Sequence, residues 1–214
     1  MIAAPPMRTF ADLQAKLGGV PAHRILLHPT PGTATETDLL NHLDGDDKRL
    51  VELVDGTLVE KTMGAKEALM AGHIYGVMFA FIYPRKLGLL FPADGPFRMN
   101  FGNVRIPDLS YVPKSRLPGL KLPADKICRQ VPSLVVEVIS NSNTKKEIAM
   151  KLEEYFALGV ELAWVVEQQK DWVRVHTSPK DFTTLTSDET LSGGSALPGF
   201  EMSLRDLFHS DDLN

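Results

Sequence analysis

The segment from Pro132 to Val166 constrains the fold more than any other part of the chain. Leu134 to Ile139 is short, continuous and rich in β-branched residues, which predicts a central strand buried on both faces. Thr144 to Leu158 follows with Ile148, Leu152, Tyr155 and Phe156 at helical spacing. Thr144 and Glu147 stand at capping-box distance, and Gly159 is a natural stop. Glu161-Leu-Ala-Trp-Val-Val166 then returns as a strand. A strand, helix and strand of these lengths predict a right-handed parallel crossover.

Other elements arrange themselves around this unit. Val51 to Lys61 alternates about Asp55-Gly56, a hairpin signal. Lys66 to Tyr83 reads as a helix, with Leu69, His73, Val77 and Phe81 as one stripe. Leu89 to Phe91, Phe97 to Phe101 and Ile106 to Val112 read as strands, as do Trp172 to His176 and the segments near Thr183 and Leu191. Phe10 to Leu17 and a segment capped by Thr35 read as short helices ahead of the main body, and Leu204 to Phe208 as a terminal helical turn. Residues 1–49 form an extension packed on a core domain of residues 50–208, with a tail at 209–214. The sum is a mixed sheet between helices.

One residue in the central strand is chemically out of place. Glu137 lies in Leu-Val-Val-Glu-Val-Ile, where a carboxylate is costly unless neutralised, paired or bound to a cation. Strand alternation puts Val135, Glu137 and Ile139 on one face, and Ile106, Asp108 and Ser110 on one face of the preceding strand. If those strands are neighbours, Asp108 and Glu137 point at one site. Two such carboxylates suit a hard divalent ion, Mg²⁺ or Mn²⁺, that keeps several of its waters. Coordination lowers the pKa of such a water and makes it a nucleophile, and a nearby lysine orients it or stabilises charge on a phosphate.

Composition sets limits on this chemistry. A chain of 214 residues, 43% hydrophobic and 23% charged, is long enough for one domain with a real core. Its net charge of −4 argues against a protein that coats DNA, though not against an enzyme acting on it. A single cysteine, Cys128, excludes an internal disulfide. No apolar run is long enough to span a bilayer, and the first residues lack the pattern of a secretory signal. A cytoplasmic location is the expectation.

Pro107-Asp108, Glu137 within Val-Val-Glu-Val-Ile-Ser, a helix carrying Lys151 and Tyr155, Gly159-Val and Trp164-Val-Val occur in that order. Together with Val51-Glu-Leu-Val-Asp-Gly56, His73 and Leu197-Pro-Gly-Phe200, this set resembles the Uma2 (DUF820) family. That family is similar to the PD-(D/E)xK nuclease superfamily. The resemblance implies an α/β (α+β), restriction-endonuclease-like mixed sheet flanked by helices, with an added N-terminal hairpin and C-terminal antiparallel strands. It also implies Mg²⁺- or Mn²⁺-dependent cleavage of DNA phosphodiester bonds, with Asp108 and Glu137 as metal ligands. Ile139 stands where the superfamily lysine would be. Lys151 on the following helix takes its place, with Lys145 and Lys146 in reserve. Glu52 and His73 match family positions as an extra ligand and a phosphate or water contact.

Blander readings compete at each position. Asp108 reads alternatively as a turn acid, Glu137 as half of a structural ion pair, Lys151 as a partner of Glu147, and His73 as a core histidine. Glu147, Ser140, Ser142 and Asn143 read as helix-capping groups. Tyr155, Trp164 and Trp172 read as core. Lys114, Arg116, Lys121, Lys126 and Arg129 read as a solvated basic loop. The rival functions are an inactive nuclease-fold protein that binds nucleic acid or a protein, and a metal-dependent hydrolase of another phosphate ester. A nuclease that cuts duplexes pairs naturally as a homodimer.

Overall fold

The computed structural model describes residues 8–117, 119 and 125–209. Helices α1 (Phe10–Lys16) and α2 (Glu36–Asp44) each open on a capping box, Thr9 with Asp12 and Thr35 with Asp38. Strands β1 (Val51–Val54) and β2 (Thr57–Glu60) form the hairpin, turning through Asp55 and Gly56 at φ 46° and 70°. Gly56 is also needed for close approach, since a Cβ there would meet the Gly32 backbone at 2.7 Å. Helix α3 (Ala65–Arg85) leads to β3 (Gly88–Phe91), β4 (Phe97–Arg98), β5 (Val104–Arg105) and β6 (Leu109–Pro113). The predicted crossover follows as β7 (Leu134–Val138), α4 (Lys145–Leu158) and β8 (Leu162–Glu167). Strands β9 (Trp172–His176), β10 (Phe182–Thr186), β11 (Thr190–Ser192) and β12 (Glu201–Ser203) precede helix α5 (Leu204–Phe208).

The main sheet has six strands in the order β10-β9-β8-β7-β6-β3. Strands β7 and β8 run parallel, and the other neighbours are antiparallel. Both faces are covered, which is why β7 is apolar almost throughout. Leu134, Val136, Val138 and Trp164 pack toward α3 and the C-terminal segment. Val135, Ala163 and Val165 pack against Ile148, Leu152 and Tyr155 of α4. A second sheet, β2-β1-β5-β4, buries Val51, Leu53 and Leu58 against Leu39 of α2. Among the described residues no helix is long and apolar enough to cross a membrane.

The structure corrects the sequence reading in several places. Ile106 to Val112 is not one strand. β5 belongs to the second sheet and β6 to the main one, so the chain changes sheets between them. Pro107, which has no N–H to give a ladder, lies in that switch. The strand at Phe97 stops at Arg98, and Asn100–Gly102 forms a turn of 3-10 helix. On α3 the buried stripe is Met70, Ile74, Met78 and Ile82, one position beyond the expected one, while Leu69 and Val77 are exposed. This helix is apolar nearly all round, so periodicity alone does not choose between adjacent stripes. Glu147 does not complete a capping box. Thr144 accepts its backbone N–H at 3.0 Å, but its carboxylate turns to a buried, bidentate pair with Arg24 at 2.8 and 3.1 Å.

Candidate active site

Asp108 stands at the sheet switch, and its position is set by the neighbouring strand. Its N–H donates to the Val136 carbonyl at 3.0 Å, and its Oδ2 accepts the Val138 N–H at 2.6 Å. Leu109 faces Val136 and Ser110 faces Val135, so alternation puts Asp108 on the α4 face with Glu137. The helix supplies the rest. Lys151 and Tyr155, one turn apart on α4, both reach Glu137.

The result is a buried chain of alternating charges. Lys61, just beyond β2, holds Asp108 Oδ1 at 2.8 Å. Lys151 Nζ lies 3.0 Å from Glu137 Oε2 and 3.3 Å from Glu52 Oε1, and the Tyr155 hydroxyl donates to Glu137 Oε1. Glu52 also accepts the Ile106 N–H at 3.0 Å and pairs with Arg105 at 3.0 Å, which in turn grips Glu154 at 2.7 Å. Asp108, Glu137, Lys151 and Glu52 are 3%, 4%, 2% and 1% exposed. Charges so deeply buried persist only when paired and hydrogen-bonded.

This setting moves the titrations in different directions. Burial alone would raise Glu52, but the charges of Lys151 and Arg105 outweigh it and hold the acid at about 2. Burial pushes Glu137 above the ordinary carboxylate range. Lys151 pulls against that shift, and the negative charge of Asp108 adds to it. Burial opposes the charged form of Lys151, yet Glu137 and Glu52 raise it above a free lysine. Tyr155 is raised well above its normal value by burial and by the same two acids, so it stays a donor.

Asp108, Glu137, Lys61 and Lys151 line one cavity of about 10 Å³, room for a single water-sized occupant. Its donor set fits one hard divalent ion. Mg²⁺ commonly takes one or two protein carboxylates and completes its shell with water and substrate phosphate. Each acid already holds an ammonium group, which an incoming ion would have to displace or join. The charged side chains that line the cavity balance, Asp108, Glu137 and Glu67 against Lys61, Lys151 and Arg24. Among the described residues no group of three or more His, Cys, Asp or Glu side chains is arranged to hold a metal. An ion here would therefore depend on the two acids, water and its substrate.

Asp108, Glu137, Lys151 and Glu52 thus come together. Glu52 is committed to Arg105 and Lys151 and does not line the cavity. His73 lies elsewhere, in a groove between α3 and the C-terminal segment with Val77, Met202 and Asp206. Lys145 and Lys146 are exposed on the first turn of α4, and Lys146 donates to the Ala15 carbonyl at 2.6 Å. In the basic loop, Arg116 is bound to the carbonyls of Val131, Pro132 and Gly159, while Lys126 and Arg129 pair with Asp44 and Asp125. Lys121 lies outside the described residues. Sequence reasoning missed Lys61, Arg105 and Arg24. Lys61 and Arg105 stand at strand ends and Arg24 ends a turn of 3-10 helix, and their partners are remote in sequence.

Comparisons with known proteins agree with this fold. The fold is similar to the crystal structure of a "putative nuclease belonging to DUF820" from Anabaena variabilis. The TM-score is 0.71 at 16% identity, covering 82% of this chain and 97% of that one. No curated protein matches the chain. The Uma2 family profile, described as "putative restriction endonuclease", matches residues 37–205. That span takes in both sheets, the sheet switch and every residue of the charged chain, and this protein belongs to the Uma2 family.

Proposed function

We propose that this protein is a divalent-metal-dependent endonuclease that hydrolyses DNA phosphodiester bonds. The observation that carries the reading is the convergence of two buried carboxylates, Asp108 and Glu137, from adjacent strands on one ion-sized cavity flanked by lysines. Asp108 and Glu137 would hold Mg²⁺ or Mn²⁺. When bound, the ion lowers the pKa of a water and offsets charge on the phosphate.

The chain's own residues do the positioning. The Val138 N–H fixes Asp108 Oδ2 and leaves Oδ1 toward Lys61. Tyr155 and Lys151 fix both oxygens of Glu137. Lys151 keeps its proton beside two acids and brings positive charge to the place where a phosphate gathers negative charge. Lys61 supplies a second cationic contact. Two copies acting on opposite strands of a duplex would form a homodimer.

A second reading, an inactive nuclease-fold protein that binds nucleic acid or a protein, rests on one observation. Both acids are already neutralised by ammonium groups. Incubation of labelled duplex DNA, single-stranded DNA and p-nitrophenyl phosphate with Mg²⁺ or Mn²⁺ separates the possibilities. Cleavage inside DNA, abolished by EDTA, is the expected result. Turnover of the small ester alone would point to another phosphate esterase, and no turnover of any substrate would favour the second reading.

A further inference from the structure

We infer that the groove beside the acid site, between the first turns of α4 and strand β9, receives an unpaired nucleobase of the nucleic-acid chain. The inference deepens the nuclease reading and rests on it for the class of ligand. The groove encloses about 530 Å³, within the span of small-molecule sites, roughly 300–1,000 Å³. It adjoins the acid cavity directly, because Ser140 and Asn143 line both.

Its walls combine flat apolar surfaces with cations. Trp172 and Arg174 stand two apart on β9 and so share a face. The Arg174 guanidinium lies 4.5 Å from the Trp172 ring centre and 4.8 Å from that of Phe182, on the neighbouring strand. His176 continues the row, its ring 4.8 Å from Phe182. Trp172 was expected in the core, yet it is only half-buried and forms part of the groove wall.

Arg174 Nε is buried with no hydrogen-bond partner among the described residues. A buried donor left unmatched is costly, and an acceptor would reach it once the guanidinium shifts from the Trp172 and Phe182 rings. Lys145 and Lys170 also line the groove, as does Glu167, whose carboxylate lies 3.7 Å from the Lys170 ammonium. Planar aromatic and guanidinium surfaces flanked by ammonium groups match a base with its phosphates. In a duplex the base faces are covered by stacking, so this wall selects an unpaired base.

The test uses full-length protein in EDTA, so that binding is read without cleavage. The probes are a fluorescein-labelled deoxythymidine hexamer and a blunt 12-base-pair duplex. A Trp164→Phe background leaves Trp172 as the reporter. The inference predicts that the hexamer quenches Trp172 emission and binds more tightly than the duplex. Trp172→Ala should weaken hexamer binding about tenfold. Arg174→Ala should weaken it several-fold, and Arg174→Lys, which keeps the charge but loses the plane, should not restore it. A circular dichroism spectrum matching wild type verifies that each variant is folded.

Equal binding of hexamer and duplex, with Trp172 emission unmoved and both Trp172→Ala and Arg174→Ala silent, would overturn the inference. The two readings fail separately. Quenching by the hexamer without metal-dependent cleavage would keep the groove and remove the nuclease. Metal-dependent cleavage with unaltered hexamer binding by Trp172→Ala would keep the nuclease and remove the groove.

Discussion

At the scale of single residues, the site is governed by the cost of burying charge. Lys151 serves two acids at once, so Lys151→Met leaves Glu137 and Glu52 without their shared ammonium. Loss of one partner from such a buried set costs about 3–5 kcal/mol, which urea unfolding will measure. Adding Glu137→Gln to Lys151→Met should recover part of that loss, because it removes a charge left unpaired. Acid sensitivity follows from Glu52. Its folded pKa of about 2 lies below its ordinary 4.5, so its stabilisation is full above about pH 4.5 and is lost as pH falls toward 2. Glu137 is raised and acts in the opposite sense, favouring the folded state below 4.5 and losing that contribution as pH climbs through its folded value. Stability measured between pH 5 and 2 should therefore decline less in Glu52→Gln than in wild type, by roughly 3 kcal/mol across the window. Asp108, Glu137 and Lys151 were legible from sequence because each breaks a local pattern or belongs to an ordered motif. Lys61, Arg105 and Arg24 were not, because their partners lie far along the chain and no period links them.

At the scale of elements, the crossover from β7 through α4 to β8 was readable from apolar runs, one cap and one glycine. The sheet switch was not. Ile106 to Val112 alternates well enough to pass for one strand, and only the competing hydrogen bonds of two sheets divide it at Pro107. The division matters, since β6 begins only at Leu109, and Asp108 just before it places its side chain to take the Val138 N–H. The segment before β1 is tied to α4 by Arg24, which binds Glu147 and also donates to the carbonyls of Glu60 and Ser142. Arg24→Ala would strand a buried carboxylate at the start of the helix that carries Lys151. The expected loss is about 3–5 kcal/mol in urea unfolding, with Glu147→Gln restoring part of it. Gly56→Ala should cost on the order of 1–3 kcal/mol through its positive φ and the nearby Gly32 backbone, read from the same transition.

At the scale of the whole molecule, two sheets and α4 enclose a single charged chain that ends in an ion-sized cavity. An ion that binds only the folded state stabilises it by mass action, about 2.7 kcal/mol at a hundredfold excess over its Kd. Mn²⁺ should therefore raise the melting temperature of wild type and leave that of Asp108→Ala unchanged in differential scanning fluorimetry. The most direct measurement is the conversion of supercoiled plasmid to nicked and linear forms with Mg²⁺ or Mn²⁺ by wild type, Asp108→Ala and Glu137→Ala. Wild type should show metal-dependent cleavage that falls at least a hundredfold, on the order of one lost electrostatic contact, in both variants. Cleavage that persists equally in all three proteins, or is absent from wild type with either metal, would contradict the nuclease reading.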